Sequence, residues 1–416
     1  MFKELHRNIK TRIVTSFLSR VIGSMIFPFM AIYFTTKLNA YWASFFIMSS
    51  VAVQFVASLY GGYLADRRGR KQMLVLSGWM KLLGYVGMVL ANSPLGTSAW
   101  VTFLMTLVIN VASGFENPAA EAMLIDVSDQ KSRAFMYAIN YWAVNMSLML
   151  GLIIGGWFYQ SYFFELLIGL VVMCGITLWM TMVLIEEVYT PTLSSVKAYG
   201  IRPILDSYRT VIQDSRFILF VLGGIAILSL EFQRTNYIGI RLKEQFGSHL
   251  YGLFGLGHFT LDGVRMLSLL TVENTLLIVL FTGVVTKWLR RKNNERLMYI
   301  GFGFFGLGYA WLAFTNSISS LVLAVLVLTV GELLYVPTRQ SKLADIVDDT
   351  RRGAYMAFNG FVFQVGKLFG AIGIVVGHAA GGGVMALLYL LFTLIGIGLS
   401  YLAVRMQSRK RAEMVV

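Results

Sequence analysis

Cysteine, proline, histidine and charge are all scarce in this chain. Of its 416 residues one is cysteine, six are proline, four are histidine, and 13% are charged. A single cysteine, Cys174, excludes an intrachain disulfide framework and a cysteine-based metal cluster; it reads as apolar filler inside a helix. The histidines, His6, His249, His258 and His378, fall in loops or at segment ends, with no His-Glu-x-x-His spacing, so a zinc site has no support. Soluble domains carry about 25% charged residues. A soluble protein half as charged could not cover its surface.

What is present is apolar. Hydrophobic residues make up 57% of the chain, and the mean hydropathy is +0.68. Forty glycines and 21 methionines suit closely packed membrane helices. A net charge of +14 raises the question of nucleic acid, but its placement answers it. The basic residues form short clusters in every second gap between apolar runs, which is a topology signal. The first residues carry Lys3, Arg7, Lys10 and Arg12, and the apolar segment that follows is too long for a cleavable signal peptide.

A helix needs about 20 apolar residues to cross a bilayer. Twelve segments qualify: 13–36, 42–64, 73–92, 99–125, 134–159, 163–185, 216–240, 266–289, 297–315, 318–341, 354–377 and 384–405. The gaps on one side hold 26 Lys and Arg; those on the other hold four, Lys37, Arg241, Lys243 and Arg265. That asymmetry places both termini in the cytoplasm. Residues 186–215, with Pro191 and Pro203, separate a six-helix bundle (1–185) from a second (216–416), and 204–214 suits an amphipathic surface helix.

The halves repeat. Pro118, Asp126, Arg133, Asn140 and Gly151 reappear 219 residues later as Pro337, Asp345, Arg352, Asn359 and Gly370. Five matches in register indicate duplicated six-helix units, an arrangement that places a substrate site between the halves. The expected fold class is therefore an all-α membrane protein of twelve transmembrane helices in two six-helix pseudo-repeats.

The gap after the second span reads Gly61-Gly62-Tyr63-Leu64-Ala65-Asp66-Arg67-Arg68-Gly69-Arg70-Lys71. This resembles the major facilitator signature G-x-L-A-D-R-x-G-R-K. The expected physics is local: Gly62 lets helices approach and Gly69 permits a tight turn. The resemblance implies a cytoplasmic latch at Asp66 and Arg70, with Arg133 and its repeat mate Arg352 grouped beside it. A degraded copy runs from Gly283 to Arg291, with Lys287 where an aspartate would sit.

Asp126, Tyr141-Trp142-Ala143-Val144-Asn145 with Gly151, Arg265-Met266-Leu267 and Gly331-Glu332-Leu333-Leu334-Tyr335-Val336-Pro337 resemble LmrP-type proton-coupled multidrug exporters. In that group carboxylates matching Asp126 and Glu332 take part in proton coupling or in binding cationic drugs. The resemblance implies a multi-pass protein of the bacterial cytoplasmic membrane, without cofactor, driven by the proton gradient and able to work as a monomer among membrane lipids. This chain departs from the group at Asn140, where a further aspartate is expected, and by lacking the span-seven acid, although Glu231 lies nearby.

Ionisable residues inside spans are functional candidates by default. Here they are Arg20, Lys81, Glu116, Glu121, Glu231, Arg234, Glu273, Glu332 and Lys367. Glu332 precedes Lys342 by ten residues, and Glu116 precedes Asp126 by ten; at about 1.5 Å per residue both lie near the midplane. Glu332 is the first candidate to trade a proton for a cation and Glu116 the second; the alternative for each is a structural ion pair. Glu231, Arg234 and Glu273 are expected to form an outer-side network, as gate or as clamp. Lys81 reads as a snorkelling lysine; Arg20 and Lys367 can hold an anionic group. Trp142, between Asn140 and Asn145, can stack on a flat substrate or on lipid, while Trp42, Trp100, Trp157 and Trp288 suit an interfacial belt.

Gly366-Lys367-Leu368 lacks the spacing, preceding strand and following hydroxyl of a phosphate-binding loop. Neither a membrane enzyme nor nucleic-acid binding finds residues to carry it. The leading expectation is proton-coupled export of small amphipathic, often cationic compounds. A lipid or glycolipid flippase, and a proton-coupled importer of a nutrient or peptide, are the alternatives.

Overall fold

The computed structural model describes residues 6–94, 96–127, 130–187, 211–252, 258–289, 295–347, 355 and 358–415. Arg352, residues 188–210 of the linker, and the side chains of Asp66 and Arg133 lie outside the described residues. The chain divides into two compact units, residues 1–199 and 200–416.

In the first unit α1 (Arg7–Ile26) runs through a short 3-10 turn at Phe27–Phe29, set by Pro28, into α2 (Met30–Lys37). Then follow α3 (Ala40–Arg68), α4 (Arg70–Leu90), a two-stranded turn (β1, Asn92–Ser93; β2, Gly96–Thr97), α5 (Ala99–Asp126), α6 (Gln130–Phe158) and α7 (Phe163–Leu184). Asn39 starts α3 by accepting from the Trp42 amide at 3.0 Å. Helix α1 packs on α6 and α7, and α5 packs on both α3 and α4.

The second unit begins with α8 (Ser215–Glu231), whose first amides are capped by Asp214. A π-turn (Arg234–Ile238) leads into α9 (Gly239–Gln245). A hairpin, β3 (His249–Gly252) with β4 (His258–Leu261), connects to α10 (Gly263–Leu289). Then come α11 (Glu295–Leu312), α12 (Ile318–Ile346) and α13 (Phe361–Val415). Gly381 divides α13 with φ 77° and ψ 176°. Helix α13 packs on α8 and α11, and α12 on α10 and α11.

Among the described residues, nine helices are long and apolar enough to cross a membrane. The sequence leaves residues 241–265 as one mixed loop; instead the helix of the seventh span continues to Gln245 and the hairpin fills much of the rest. Prolines 118 and 337 lie inside α5 and α12, where neighbouring helices can satisfy the freed carbonyls.

Two repeat-related glycines do the same job. A Cβ on Gly151 of α6 would strike Val21 and Ser24 of α1, and one on Gly370 of α13 would strike Phe232 and Asn236, just past α8. Each permits its helix to lie against the first helix of its own unit.

Candidate functional site

Site residues form one polar system in each unit. In the first, helices α4 and α5 are joined by two ionic rungs. Arg70 Nε lies 3.3 Å from Asp126 Oδ2, and Lys81 Nζ lies 2.5 Å from Glu116 Oε2. The rungs are eleven residues apart in α4 and ten in α5, a separation of about 15 Å along the helices. Arg12 of α1 joins the deeper rung, with both terminal nitrogens 3.3 Å from Glu116 Oε1. Side-chain exposures of 8% for Arg12, 20% for Lys81 and 22% for Glu116 place this triad inside the unit.

One expectation changes here, and one residue gains a partner. Lys81 does not snorkel, because a carboxylate of the next helix lies within reach. Asp126, grouped in the sequence with substrate residues, is the last residue of α5 and binds Arg70 of the signature segment.

The turn of the signature segment is built by backbone geometry. Gly69 separates α3 from α4 with φ +102°, a conformation that a side chain disfavours. Glu187, after α7, fills the space beside it: its Oε2 accepts from the Lys71 amide at 2.7 Å and would lie 2.5 Å from a Cβ on Gly69. The close helix approach, however, belongs to Gly61. A Cβ there would lie 2.7 Å from Gly114 O and Phe115 Cα of α5, whereas one on Gly62 would meet Pro118 at an ordinary 3.9 Å. Arg67 and Arg68 are exposed on the same turn.

The second unit holds a hydrogen-bonded cluster at the π-turn. Arg234 donates through Nη1 to Asn274 Oδ1 and through Nη2 to the Tyr309 hydroxyl, each at 2.8 Å. Asn274 Nδ2 donates to Glu332 Oε2 at 3.1 Å and to Thr329 Oγ1 at 2.9 Å. Glu231 lies within electrostatic reach of Glu332 and Arg234. Helices α8, α10, α11 and α12 thus contribute to a cluster of two carboxylates and one guanidinium. The π-turn widens the helix and aims Arg234 inward, and such turns recur at functional sites.

Glu273 does not join the expected triad with Glu231 and Arg234. Its neighbour Asn274 faces Arg234, and adjacent residues of a helix point about 100° apart. The Glu273 carboxylate instead has a buried Oε1 without a hydrogen-bond partner among the described residues.

The remaining candidates scatter. Arg20 is exposed and within electrostatic reach of Glu116 and Arg12. Glu121 is exposed. Lys367 lies 4.8 Å above the Phe363 ring. Asn140 and Asn145 are half-buried, and Trp142 is 54% exposed. Among the described residues no three His, Cys, Asp or Glu side chains meet as a metal site.

Sequence reasoning missed Arg12, Asn274, Tyr309, Thr329 and Glu187. Arg12 looked like one of the terminal basic residues, and Asn274 stood beside a more conspicuous glutamate.

Comparisons with known proteins agree on the class. The family model described as Major Facilitator Superfamily matches residues 13–371 and 254–414. A Na(+), Li(+), K(+)/H(+) antiporter of Planococcus maritimus is 28% identical over 380 residues, covering 89% of this chain and 90% of the relative. The multidrug resistance protein MdtH of Klebsiella pneumoniae (strain 342) is 23% identical, over 86% of this chain and 81% of its own. The crystal structure of a POT family transporter in complex with 5-aminolevulinic acid shares the fold, with TM-score 0.74 and 15% identity over 97% of this chain and 96% of that one.

Proposed function

Because the chain belongs to the Major Facilitator Superfamily, we propose that it is a secondary transporter exporting amphipathic, often cationic compounds in exchange for protons by alternating access of its two halves. The observation that carries this reading is the charge imbalance of the π-turn cluster. Glu231 and Glu332 share one guanidinium, Arg234. One negative charge in excess, buried in an apolar helix bundle, is costly unless a proton or a cation neutralises it. The two compete for the same carboxylates, and competition of that kind is the chemical basis of antiport.

In this reading Glu332 carries the exchange, Asn274 holds it to Arg234, and Arg70 with Asp126 forms part of a latch that opens and closes. The chain crosses the membrane twelve times: α6, α11 and the second arm of α13 supplement the nine apolar helices. Both termini are cytoplasmic, by the distribution of basic residues. The protein works in the bacterial cytoplasmic membrane as a monomer, with the proton gradient as its energy source and no cofactor.

A second reading has specific support. The Planococcus maritimus relative is named for monovalent metal cations, and the cluster includes oxygens of Glu332, Thr329 and Tyr309, with Glu231 in electrostatic reach. The exchanged cation would then be sodium or potassium.

The test is transport in inside-out vesicles under an imposed proton gradient, with a fluorescent cationic dye in one arm and potassium or sodium in the other. Gradient-dependent movement that Glu332→Gln abolishes supports exchange at this cluster, and the arm that responds identifies the cargo. Transport by Glu332→Gln with unchanged pH dependence would remove Glu332 from the coupling step.

A further inference from the structure

We infer that the Arg12, Arg20 and Lys81 side chains of the first unit form a binding site for an acidic group, a carboxylate or a phosphate, and that Glu116 occupies that site as an internal stand-in. The inference deepens the transport reading, on which it rests, by adding an acidic group to the cargo.

The argument begins with charge. Lys81 and Arg12 both bind Glu116, at 2.5 and 3.3 Å. Arg20 interacts electrostatically with the same carboxylate and with Arg12, and makes no hydrogen bond or ion pair among the described residues. Two cations therefore bind one anion, with a third in electrostatic reach. The other titratable neighbours are Tyr85 and Cys174, from α4 and α7, within electrostatic reach of Glu116. Both are neutral at ordinary pH and offset nothing.

Depth makes the surplus matter. Lys81 and Glu116 lie about 15 Å along α4 and α5 from the Arg70–Asp126 rung, far enough that the lysine stem cannot readily carry its charge to the interface. Donors are in surplus too. Arg12 is 8% exposed, and its Nε is buried with no acceptor. A fork of guanidinium donors beside an ammonium is the arrangement that recognises carboxylate and phosphate oxygens. An incoming acidic group takes the place of Glu116 on these donors and meets Arg20, which has no such partner among the described residues.

The experiment uses the purified full chain in phosphatidylcholine nanodiscs, without a gradient, and reads binding by fluorescence anisotropy. The probes are rhodamine 110, which has a free carboxylate, and rhodamine 123, its methyl ester. Arg20→Gln is expected to weaken the free acid about tenfold and the ester less than twofold. Glu116→Gln, which removes the competing carboxylate, is expected to tighten the free acid. Equal responses of the two dyes to Arg20→Gln overturn the inference, and this variant stays informative even if Glu116→Gln fails to fold.

A parallel arm replaces part of the phosphatidylcholine with phosphatidylglycerol. If the acidic group is a lipid headgroup, that lipid displaces rhodamine 110 from the wild type and raises its melting temperature, and Arg20→Gln loses both effects. If the group belongs to a soluble cargo, the free acid still binds and the lipid does not compete. Insensitivity of dye and lipid alike to Arg20 sinks the proposal. Gradient-driven uptake of the ester, together with binding of the free acid that Arg20→Gln leaves unchanged, would leave the exchange reading intact and remove only the acidic site.

Discussion

Arg234 and Glu332 meet through a single amide: Asn274 accepts from the arginine at 2.8 Å and donates to the glutamate at 3.1 Å. No ion pair joins the two charges directly among the described residues. The bridge therefore sets how strongly the cation holds the carboxylate. A hydrogen bond to a charged group contributes about 1.5–3 kcal/mol. Asn274→Ala is expected to reduce gradient-driven transport at least tenfold in vesicles. Asn274→Asp, which adds a third carboxylate around Arg234, should change the pH profile as well as the rate. Wild-type rates in both variants would show that the bridge is only packing.

Gly61 and Gly62 make opposite predictions although they are neighbours. Alanine at Gly61 places a methyl group 2.7 Å from the α5 backbone, and overpacking of this kind costs about 1–3 kcal/mol. Gly61→Ala should lower the melting temperature of the purified protein in detergent by several degrees. Gly62→Ala should leave it within a degree or two of wild type. Equal melting of the two variants would contradict the assigned crossing.

The positive φ at Gly69 forbids an easy substitution. A left-handed residue with a side chain costs about 1–2 kcal/mol, and here the side chain also meets Glu187. Gly69→Ala should therefore impair transport more than Glu187→Ala, which removes only the cap on the Lys71 amide. The double variant Gly69→Ala with Glu187→Ala should recover part of the loss, since the collision is gone while the strain remains. Initial rates in vesicles, normalised to protein level, decide it.

The Arg70–Asp126 contact is open to a charge swap. Asp126→Arg alone sets two like charges against each other at the end of α5 and is expected to abolish transport. Arg70→Asp with Asp126→Arg restores the attraction and should return a measurable fraction of activity. The double-mutant cycle reads the coupling directly. Zero coupling would return Asp126 to the role that resemblance alone suggested, in proton coupling or drug binding.

Much of the fold was legible in sequence because lipid imposes a simple rule. Backbone groups in a bilayer must be satisfied within the segment, so long apolar runs become helices. The repeat was equally legible, and Gly151 and Gly370 turn out to make matching helix contacts. Individual partners were harder to read. Glu231, Arg234 and Glu273 looked like neighbours on a sequence diagram, yet the π-turn rotates the chain at Arg234 and aims it at Asn274 and Tyr309. A five-residue change in helical winding has no compositional signature. Lys81 looked free for the same reason: its partner lies on another helix, 35 residues away.

The sequence by itself determined the helical class and the long apolar segments, because both follow from composition and period along one chain. Only the tertiary structure decided which charges meet. It placed Arg12 and Lys81 on Glu116, Arg70 on Asp126, and Asn274 between Arg234 and Glu332. The physical reason is that a buried ionic group is satisfied in three dimensions, by side chains from helices that the chain reaches at different times, and the rotation of each helix about its axis sets the pairing.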